Sequence, residues 1–370
     1  MRIAINCRSF LDRHYAGIGR YAFNLVKSLS AIDSQNQYCL YAKTGLFSSK
    51  KLPHFTAPNF KPYHDFFKRG AQKTLGPVDI YHSPSPDALD IQNTKIIVTV
   101  HDLVYKVFPQ GHTPETIQTT EKHFQEIIAK ADQIICCSQS TEKDFQKYFP
   151  QSSGKTTMIY QGVDKKEFYP LPDSERLKAK DSTAKLGVKG PFLLSVGTIE
   201  PRKNIETLIN VYEKLKRQNK FSGKLVCIGK TGWMSEHIFK RVEELGLKND
   251  VLFLGFITNE ELRSFYNLAE VFVFPSFYEG FGFPILEAFS CGAVVVTSNM
   301  SSCGEVAGGA ALTIDPFSAD AMANAIERIL TDKKLKEELK AKALLRARDF
   351  SFEKTARETL KVYEEVYHLK

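Results

Sequence analysis

The sequence predicts an α/β protein made of two doubly wound domains, each with a parallel sheet covered by helices. Three observations predict this fold class. The chain has 370 residues, which is too long for one ordinary hydrophobic core. Short apolar runs recur between longer amphipathic segments, and they form two consecutive series. The runs are apolar throughout rather than alternating, which is typical of parallel strands buried on both faces.

The first series lies within residues 1–170, which we interpret as an N-terminal domain. Its first apolar run is followed by the amphipathic segment IGRYAFNLVKSLSAI, a pattern typical of a helix that packs on a sheet. The candidate strands of this domain are residues 2–6, 38–42, 79–83, 95–100, 133–138 and 156–160.

The second series lies within residues 190–350, which we interpret as a C-terminal domain. The polar, proline-bearing segment 171–189 is predicted to be the linker between the domains. Residues 351–370 are predicted to form a helix, capped by Ser351, that packs back on the N-terminal domain. The candidate strands of the C-terminal domain are residues 191–197, 224–229, 250–255, 271–276, 293–298 and 310–315.

A ligand site follows from this architecture. Open parallel sheets bind their ligands at the carboxyl ends of the strands. Two such domains that face each other therefore predict a ligand in a central cleft.

Composition excludes several classes of protein. Hydrophobic residues make up 43% of the chain and charged residues 25%, which is ordinary for a globular protein and not for a disordered one. The seven cysteines are scattered and form no CxxC pair, so neither a zinc site nor a disulfide framework is expected. No apolar run approaches the length of about 18 residues that spans a membrane. We therefore expect a cytoplasmic protein.

The net charge of +8 lies entirely in the first half of the chain. Residues 1–190 contain 26 basic and 18 acidic residues, whereas the remainder contains 24 of each. Such a field attracts acidic substrates, nucleic acid or an anionic membrane. HDFFKRGAQK (64–73) places two phenylalanines beside basic residues, as at a membrane interface, although an ordinary solvated loop fits it too. No aromatic–basic RNA motif occurs, so we do not expect nucleic acid as a partner.

The stretch FPSFYEGFGFPILEAFSCG (274–292) holds two carboxylates with a helix start between them. Gly280 and Gly282 disfavour a helix, whereas Pro284 suits the first turn of one. Glu279 is thus predicted in a loop after a strand and Glu287 in the first turn of the next helix. The start of that helix is a ready site for phosphate, which suggests a long ligand with hydroxyl groups at both ends.

This stretch resembles the E-x7-E motif of glycosyltransferase family 4, a large group of retaining enzymes. The resemblance extends over nearly the whole chain and is carried by an ordered set of motifs. Within the family, the chain most resembles the mannosyltransferase-like branch that builds bacterial surface polysaccharides. This resemblance implies the GT-B fold, with two Rossmann-like domains facing a central cleft. The matching segments are YAGIGRYAFNLVKSL (15–29), DIYHSPS (79–85), VTVHDLVYKVFP (98–109), IYQGVD (159–164), SVGTIEPRKNIETLI (195–209) and the region 254–326.

The resemblance implies a role for each matching residue. Glu279 would accept hydrogen bonds from the donor sugar, and Glu287 from the ribose of the nucleotide. Arg202 and Lys203 would neutralise the diphosphate as it departs. His101, directly after a strand, would lie beside the sugar, although a histidine bonded to the backbone or to Asp102 is the alternative.

The chain departs from the family at one position. Much of the family has Gly-Arg where this sequence has Gly197-Thr198. Arg202 is therefore our choice for the guanidinium that contacts the diphosphate.

Other residues are implied at the donor site less specifically. Gly17 and Gly19, with Arg20 nearby, would form a loop that closes on the ligand, but a generic strand-to-helix turn fits equally. Lys230 would approach the nucleotide unless it is simply a surface lysine, and Glu305 is a weaker candidate. The remaining donor-binding candidates are Thr198, Phe281, Gly282 and Phe283.

The implied function is retaining transfer of a hexose from a nucleotide sugar to a glycan or lipid-linked acceptor. GDP-mannose is the first choice of donor, and a UDP-sugar is the alternative. We expect no cofactor and no metal, and front-face transfer rather than a pair of carboxylates acting as acid and nucleophile. The charge of the first half leaves open whether the enzyme binds the inner face of the cell membrane.

The competing functions come from different classes. A sugar-nucleotide epimerase or a phosphorylase would have a similar architecture, but no lysine in a cofactor-type context supports the phosphorylase. A non-catalytic nucleotide-sugar-binding protein, or a basic protein that binds nucleic acid, would leave Glu279 and His101 without a role.

Overall fold

A computed structural model describes residues 1–11, 17–45, 51–86 and 91–369 of the chain. They form two compact units. The first unit comprises Met1–Gly162 and the C-terminal segment from Phe350 onward, and the second comprises Val163–Asp349. No helix in these described ranges is both long and apolar enough to cross a membrane.

The first unit is built on a parallel sheet of seven strands within the described residues. Their order is β3-β2-β1-β4-β5-β6-β7, so the chain changes direction across the sheet between β1 and β4. The strands are β1 (Arg2–Asn6), β2 (Gln37–Lys43), β3 (Phe60–Asp65), β4 (Ile80–Ser83), β5 (Lys95–Val100), β6 (Gln133–Cys136) and β7 (Thr156–Met158). The helices of this part of the chain are α1 (Gly17–Ile32), α2 (Ala71–Leu75), α3 (Val104–Val107), α4 (Pro114–Lys130) and α5 (Gln139–Tyr148).

The second unit repeats this plan with six parallel strands in the order β10-β9-β8-β11-β12-β13. The strands are β8 (Phe192–Val196), β9 (Lys224–Ile228), β10 (Val251–Phe253), β11 (Val271–Phe274), β12 (Val295–Ser298) and β13 (Leu312–Ile314). The helices are α6 (Asp173–Lys185), α7 (Ile205–Arg217), α8 (Glu236–Glu244), α9 (Asn259–Leu268), α10 (Phe283–Ser290), α11 (Ser301–Ala307), α12 (Ala319–Thr331) and α13 (Lys333–Arg346). The predicted fold class of two parallel-sheet, Rossmann-like domains is confirmed.

Each of the twelve apolar runs predicted as strands contains one, but the sequence did not predict β3. Among the described residues, this strand, FKPYHD, pairs with β2 alone and forms the edge of the first sheet. Lys61 is exposed and Pro62 cannot donate a backbone hydrogen bond, so the segment lacks the continuous apolar pattern of the buried strands.

The segment predicted as a linker, residues 171–189, contains the helix α6. Its sequence has almost no apolar stripe, and only Ala179 and Thr183 are buried, which is why it resembles a linker. The helix packs on α9, and the Leu171 N–H donates to Asn267 Oδ1 at 2.8 Å. This segment is therefore part of the second unit.

The last helix, α14 (Phe352–His368), returns to the first unit and packs on α1. Ser351 Oγ caps it by accepting from the Lys354 N–H at 3.2 Å. Gly162 lies so close to the start of this helix that a Cβ at Gly162 would be 2.1 Å from the Phe352 nitrogen. The first stretch of the first unit ends at Gly162, and not at residue 170 as predicted.

All seven cysteines are buried thiols. They lie within the sheets or the elements that cover them, and burial raises the pKa of the Cys136 and Cys227 thiols. They therefore act as small apolar side chains of the two cores.

Candidate active site

The carboxyl ends of β8 and β11 meet at the centre of the second sheet. These strands are neighbours in space but not consecutive in the chain, so the connections diverge on either side of them. Such a switch point is where open parallel sheets bind ligands. The loop after β8 carries Arg202 and Lys203, and the loop after β11 carries Glu279.

Glu279 contacts both cations directly. Lys203 Nζ lies 2.5 Å from Glu279 Oε1, and Arg202 Nη1 lies 2.8 Å from Glu279 Oε2. The three side chains are at most 17% exposed. The fold thus brings three predicted catalytic residues together, although Glu279 lies 76 positions after Lys203 in the chain.

Arg202 is fixed by a residue that the sequence did not reveal, Glu200. Arg202 donates from Nε and Nη2 to Glu200 Oε1 at 3.0 and 2.6 Å. It also donates from Nη1 to the Tyr278 carbonyl at 2.7 Å. Glu200 is 1% exposed, so the cluster balances two buried carboxylates against two cations. The turn Pro201–Lys203 folds the arginine back over a carboxylate two residues earlier in the chain.

The cluster keeps Glu279 ionised. Burial opposes its ionisation, but the charges of Arg202 and Lys203 prevail and lower the pKa of Glu279 to about 2. The pKa of Lys203 is lowered by burial and by the charge of Arg202, against the attraction of Glu279. At neutral pH Glu279 is therefore an acceptor of hydrogen bonds, and it holds no proton to donate.

The backbone N–H and the backbone carbonyl of Glu279 both form hydrogen bonds with the first two residues of α11. The Glu279 N–H donates to Ser301 Oγ at 2.9 Å, and Ser302 Oγ donates to the Glu279 carbonyl at 2.9 Å. The loop after β11 is therefore fixed to the body of the second unit at the residue that carries the chemistry.

The helix α10 begins directly after this loop, as predicted. Gly282, at φ +104°, is the residue before the helix, and as a glycine it has no side chain with which to cap the helix. A Cβ at Gly282 would lie 3.3 Å from Ile285 Cδ1, and its φ falls in the region that favours glycine. The rings of Phe281 and Phe283 pack edge to face, 5.4 Å between centroids. This helix start directly follows the loop that carries Glu279, and a phosphate site there stays a prediction.

Glu287 does not lie in the first turn of α10, and that prediction is wrong. The helix begins at Phe283, one residue before Pro284, so Glu287 is its fifth residue. The carboxylate is 2% exposed and accepts from the Tyr266 hydroxyl, with Oε2 at 3.0 Å. It is therefore held by α9 and not by the helix start.

Thr198 and Lys230 lie on adjacent loops at the same edge of the second sheet. The Ile199 N–H donates to the Lys230 carbonyl at 2.9 Å, which ties the loops after β8 and β9 together. Lys230 is exposed, with its ammonium 5.9 Å from the centre of the Phe256 ring. Gly197, beside Thr198, is close enough to Lys203 that a Cβ there would lie 3.3 Å from Lys203 Cε.

His101 lies in the first unit, directly after β5. Its Nε2 is 2.7 Å from the Pro84 carbonyl, and its Nδ1 is 2.9 Å from Gln161 Nε2. Tyr21 packs edge to face on the ring, 5.1 Å between centroids. Burial lowers the pKa of His101, although the Pro84 carbonyl and Asp102 oppose the shift. Both ring nitrogens therefore have partners within the first unit, one in the backbone and one in Gln161. A position of His101 beside the donor sugar stays a prediction.

Gly17 and Gly19 do not form a loop within the described residues. They belong to the first turn of α1, with Gly17 exposed at φ +38° and Gly19 buried. The buried apolar residues of α1 recur at helical spacing from Tyr21 onward, and the helix that they form begins at Gly17. The motif residues Tyr15 and Ala16 lie outside the described residues.

The remaining predicted residues lie in helices. Arg20 follows Gly19 in the first turn of α1. Glu305 lies in α11, where its carbonyl accepts from Arg346 Nη2 at 2.9 Å. Across the part of the chain that the structure describes, no three His, Cys, Asp or Glu side chains are grouped to hold a metal ion.

Two family models match consecutive parts of the chain. Glycosyltransferase Family 4 matches residues 15–167, and Glycosyl transferases group 1 matches residues 178–346. The O-antigen chain mannosyltransferase B of Escherichia coli is 33% identical over 290 residues, which are 77% of this chain and 74% of that protein. The chain belongs to glycosyltransferase family 4. The predicted family is thus confirmed, and the chain is a glycosyltransferase.

A second relative supports the assignment to glycosyltransferase family 4. The serotype-specific mannosyltransferase WbdA of Escherichia coli is 36% identical over 229 residues. These residues are 61% of this chain but only 28% of WbdA, so the chain spans a minor part of that relative.

Solved structures share the fold of this glycosyltransferase. Sucrose-phosphate synthase from Thermosynechococcus elongatus matches with a TM-score of 0.78 at 24% identity, covering 99% of both chains. HepE of Anabaena, solved with UDP-glucose, matches with a TM-score of 0.73 at 19% identity, covering 99% of this chain and 100% of the other. WaaG, a glycosyltransferase involved in lipopolysaccharide biosynthesis, matches with a TM-score of 0.73 at 16% identity, covering 98% and 99%. The predicted GT-B fold is confirmed.

Proposed function

We propose that this enzyme transfers mannose from GDP-mannose, with retention of configuration, to a glycan or lipid-linked acceptor in surface polysaccharide synthesis. The observation that carries the proposal is the contact of Glu279 with Arg202 and Lys203 at the carboxyl ends of β8 and β11. The names of its relatives, which describe mannosyltransferases of Escherichia coli, support mannose as the sugar and polysaccharide as the product.

Arg202 and Lys203 bind the diphosphate in this proposal. The oxygen that links the diphosphate to the sugar gains negative charge as the bond breaks, and two nearby cations stabilise that charge. Because both side chains are already held by buried carboxylates, little reorganisation is needed when the donor binds. The start of α10 adds backbone N–H groups and the positive end of its dipole.

Glu279 accepts hydrogen bonds from hydroxyl groups of the donor sugar. Its pKa of about 2 excludes it as a general acid near neutral pH. We propose instead that the departing phosphate oxygen takes the proton of the acceptor hydroxyl on the same face of the sugar. Glu287 accepts from the ribose, and His101 lies beside the sugar when the donor is bound.

The positive charge of Arg202 and Lys203 makes a metal ion unnecessary in this proposal, and no other cofactor takes part. Turnover of the nucleotide sugar is therefore expected to be unchanged when divalent cations are chelated with EDTA. A loss of turnover that Mg²⁺ or Mn²⁺ restores would contradict this part of the proposal.

A UDP-sugar is the second candidate donor. HepE was solved with UDP-glucose, but its 19% identity carries the fold alone. Thermal unfolding in the presence of GDP, UDP, GDP-mannose and UDP-glucose separates the two, since a ligand of the native state stabilises it by mass action. Stabilisation by GDP and GDP-mannose alone is expected, and stabilisation by the uridine nucleotides alone would replace the proposed donor.

The acceptor is proposed to be anchored in an anionic membrane that the first unit contacts. After β3, the side chains of Phe66 and Phe67 are 43% and 64% exposed. The guanidinium of Arg69 lies 5.0 Å from the centre of the Phe67 ring. Two exposed aromatic rings beside basic side chains suit the lipid headgroup region. We propose a cytoplasmic enzyme that binds the inner face of the membrane there, with no nucleic acid partner.

The product decides between this enzyme and its alternatives. Incubation of the enzyme with GDP-mannose and a membrane lipid extract is expected to give an α-linked mannosyl product, with GDP released in equal amount. NMR of the anomeric proton reports whether the configuration is retained. Binding of GDP-mannose without release of GDP would instead indicate a non-catalytic binding protein.

A further inference from the structure

Gln161 contacts His101 but has no role in the proposed donor site. It follows β7, is 1% exposed, and places its amide Nε2 2.9 Å from His101 Nδ1. The other ring nitrogen, Nε2, is 2.7 Å from the carbonyl of Pro84. Both nitrogens of the histidine are therefore engaged, each by a group of known hydrogen-bonding character.

These two contacts determine where the ring carries its proton. A carbonyl oxygen can only accept, so His101 Nε2 must carry a hydrogen and donate to Pro84. The amide nitrogen of Gln161 can only donate, so Nδ1 must be the acceptor and carry none. The ring is then neutral, and a second proton on Nδ1 would point at the N–H group of the amide.

The opposite orientation of the Gln161 amide fits less well. It would place Oε1 against Nδ1, and both ring nitrogens would then need hydrogens. That arrangement requires an imidazolium, which burial of the ring disfavours. The titratable groups around His101 are Tyr21 of α1, His82 of β4, the adjacent Asp102 and Cys137, which donates from Sγ to the His101 carbonyl.

We propose that Gln161 is a positioning residue that keeps His101 neutral, with its hydrogen on Nε2, beside the donor sugar. The proposal rests on the proposed function, in which His101 meets the sugar. Glycosyl transfer develops positive charge on the sugar ring in the transition state. A neutral imidazole tolerates that charge, whereas an imidazolium at the same place repels it.

A second feature of Gln161 also points to a ligand. Its Oε1 is buried and has no hydrogen-bond partner among the described residues. Buried carbonyl oxygens of side-chain amides are normally satisfied. This oxygen, next to the ring of His101, can accept from a sugar hydroxyl that approaches the histidine.

NMR of the enzyme labelled with ¹⁵N-histidine tests the tautomer without any turnover. The His101 signals are assigned by their loss in His101→Asn. In the wild type we expect the hydrogen on Nε2 and a neutral ring from about pH 6 to about pH 8. A hydrogen on Nδ1, or an imidazolium in that range, would overturn the proposal.

Gln161→Glu provides the decisive variant. A carboxylate at this position can only accept from Nδ1, so with Pro84 on Nε2 it should convert His101 to an imidazolium and raise its pKa. The NMR signals of the doubly protonated ring are expected near neutral pH, and unchanged signals would contradict the proposed contact. Gln151→Glu, whose side chain is exposed, adds the same charge and should leave His101 unchanged.

The pH profile of turnover links the tautomer to catalysis. For Gln161→Glu we expect kcat at least about tenfold lower at pH 7, rising as His101 loses its proton, with KM for the donor nearly unchanged. A wild-type profile in this variant would overturn the role of Gln161 even if the tautomer is confirmed. If no nucleotide sugar is turned over at all, the proposed function fails while the NMR result still stands.

Discussion

Lys203 Nζ lies 2.5 Å from Glu279 Oε1, within a contact that joins the carboxyl ends of two neighbouring strands. The other oxygen of Glu279 is occupied by Arg202, which is itself held by Glu200. This arrangement places two cations at the switch point of the second sheet and keeps them in position before any donor arrives.

The ionisation of Glu279 should make the enzyme less stable in acid. Its pKa is about 2 in the folded state, against an ordinary value of 4.5 for glutamate, so its charged form stabilises the fold above pH 4.5. That contribution, on the order of 3 kcal/mol, is lost as the pH falls from about 4.5 toward about 2. The free energies of unfolding in urea of the wild type and of Glu279→Gln should differ most near pH 6 and become equal near pH 2.

Glu327→Gln, a surface substitution at a carboxylate that pairs with Lys220, controls for the loss of one acidic group. The low pKa of Glu279 would be contradicted if the difference in unfolding free energy between the wild type and Glu279→Gln stayed constant from pH 6 to about pH 2.

Glu200→Gln should weaken catalysis by releasing Arg202. The arginine would lose the charged partner of Nε and Nη2 and adopt more than one position. We expect kcat/KM for the nucleotide sugar to fall about 10- to 100-fold, because misplaced catalytic groups carry costs of that size. Steady-state kinetics measures this. Glu206→Gln, whose carboxylate pairs with His237 at the surface, should remain at wild-type activity; an equal loss there would indicate a general effect.

Glu287→Gln should weaken donor binding with little change in kcat. The Glu287 carboxylate is buried and accepts a hydrogen bond from the Tyr266 hydroxyl, whereas Glu279 contacts Arg202 and Lys203. Loss of one charged hydrogen bond to the ribose should raise the Kd for GDP about tenfold, or ~1.4 kcal/mol. Calorimetric titration with GDP measures it, and Tyr266→Phe should shift the Kd in the same direction. A fall in kcat with an unchanged Kd would place Glu287 in the chemical step instead.

Phe67→Ser should reduce binding to anionic vesicles. The ring is 64% exposed beside Arg69, and its removal takes away apolar area that would enter the headgroup region. We expect several-fold weaker flotation with phosphatidylglycerol vesicles at low salt. Leu177→Ser, at a 70% exposed leucine in α6 of the second unit, is the matched control. Equal binding by both variants would show that the loop after β3 does not meet the membrane.

The sheets could be predicted from the sequence because parallel strands buried on both faces are continuously apolar. The edge strand β3 could not be predicted, because Lys61 and Pro62 break that pattern. In the described part of the chain, one side of this strand has no partner strand. The helix α6 was not predicted for a related reason. Only two of its residues are buried, so its sequence is nearly as polar as that of a linker.

The candidate site could be predicted only in part. The glycines and Pro284 locate the helix start, which places Glu279 in the loop before it. Nothing in the local pattern shows that Tyr266, from another helix, holds Glu287. Glu200 and Gln161 were missed because their roles depend on the side chains they contact, and a single sequence does not contain those contacts.

The role of the two cations is tested most directly by the rate of GDP release from GDP-mannose, compared between the wild type and Lys203→Ala. The wild type is expected to release GDP in the presence of a lipid extract. Lys203→Ala, with an unchanged circular dichroism spectrum, should be slower by about 100-fold or more, because one of two cations on the leaving group is gone. Lys220→Ala, which breaks an exposed pair with Glu327, should equal the wild type. Release of GDP by Lys203→Ala within about twofold of the wild-type rate would show that Lys203 does not stabilise the departing diphosphate.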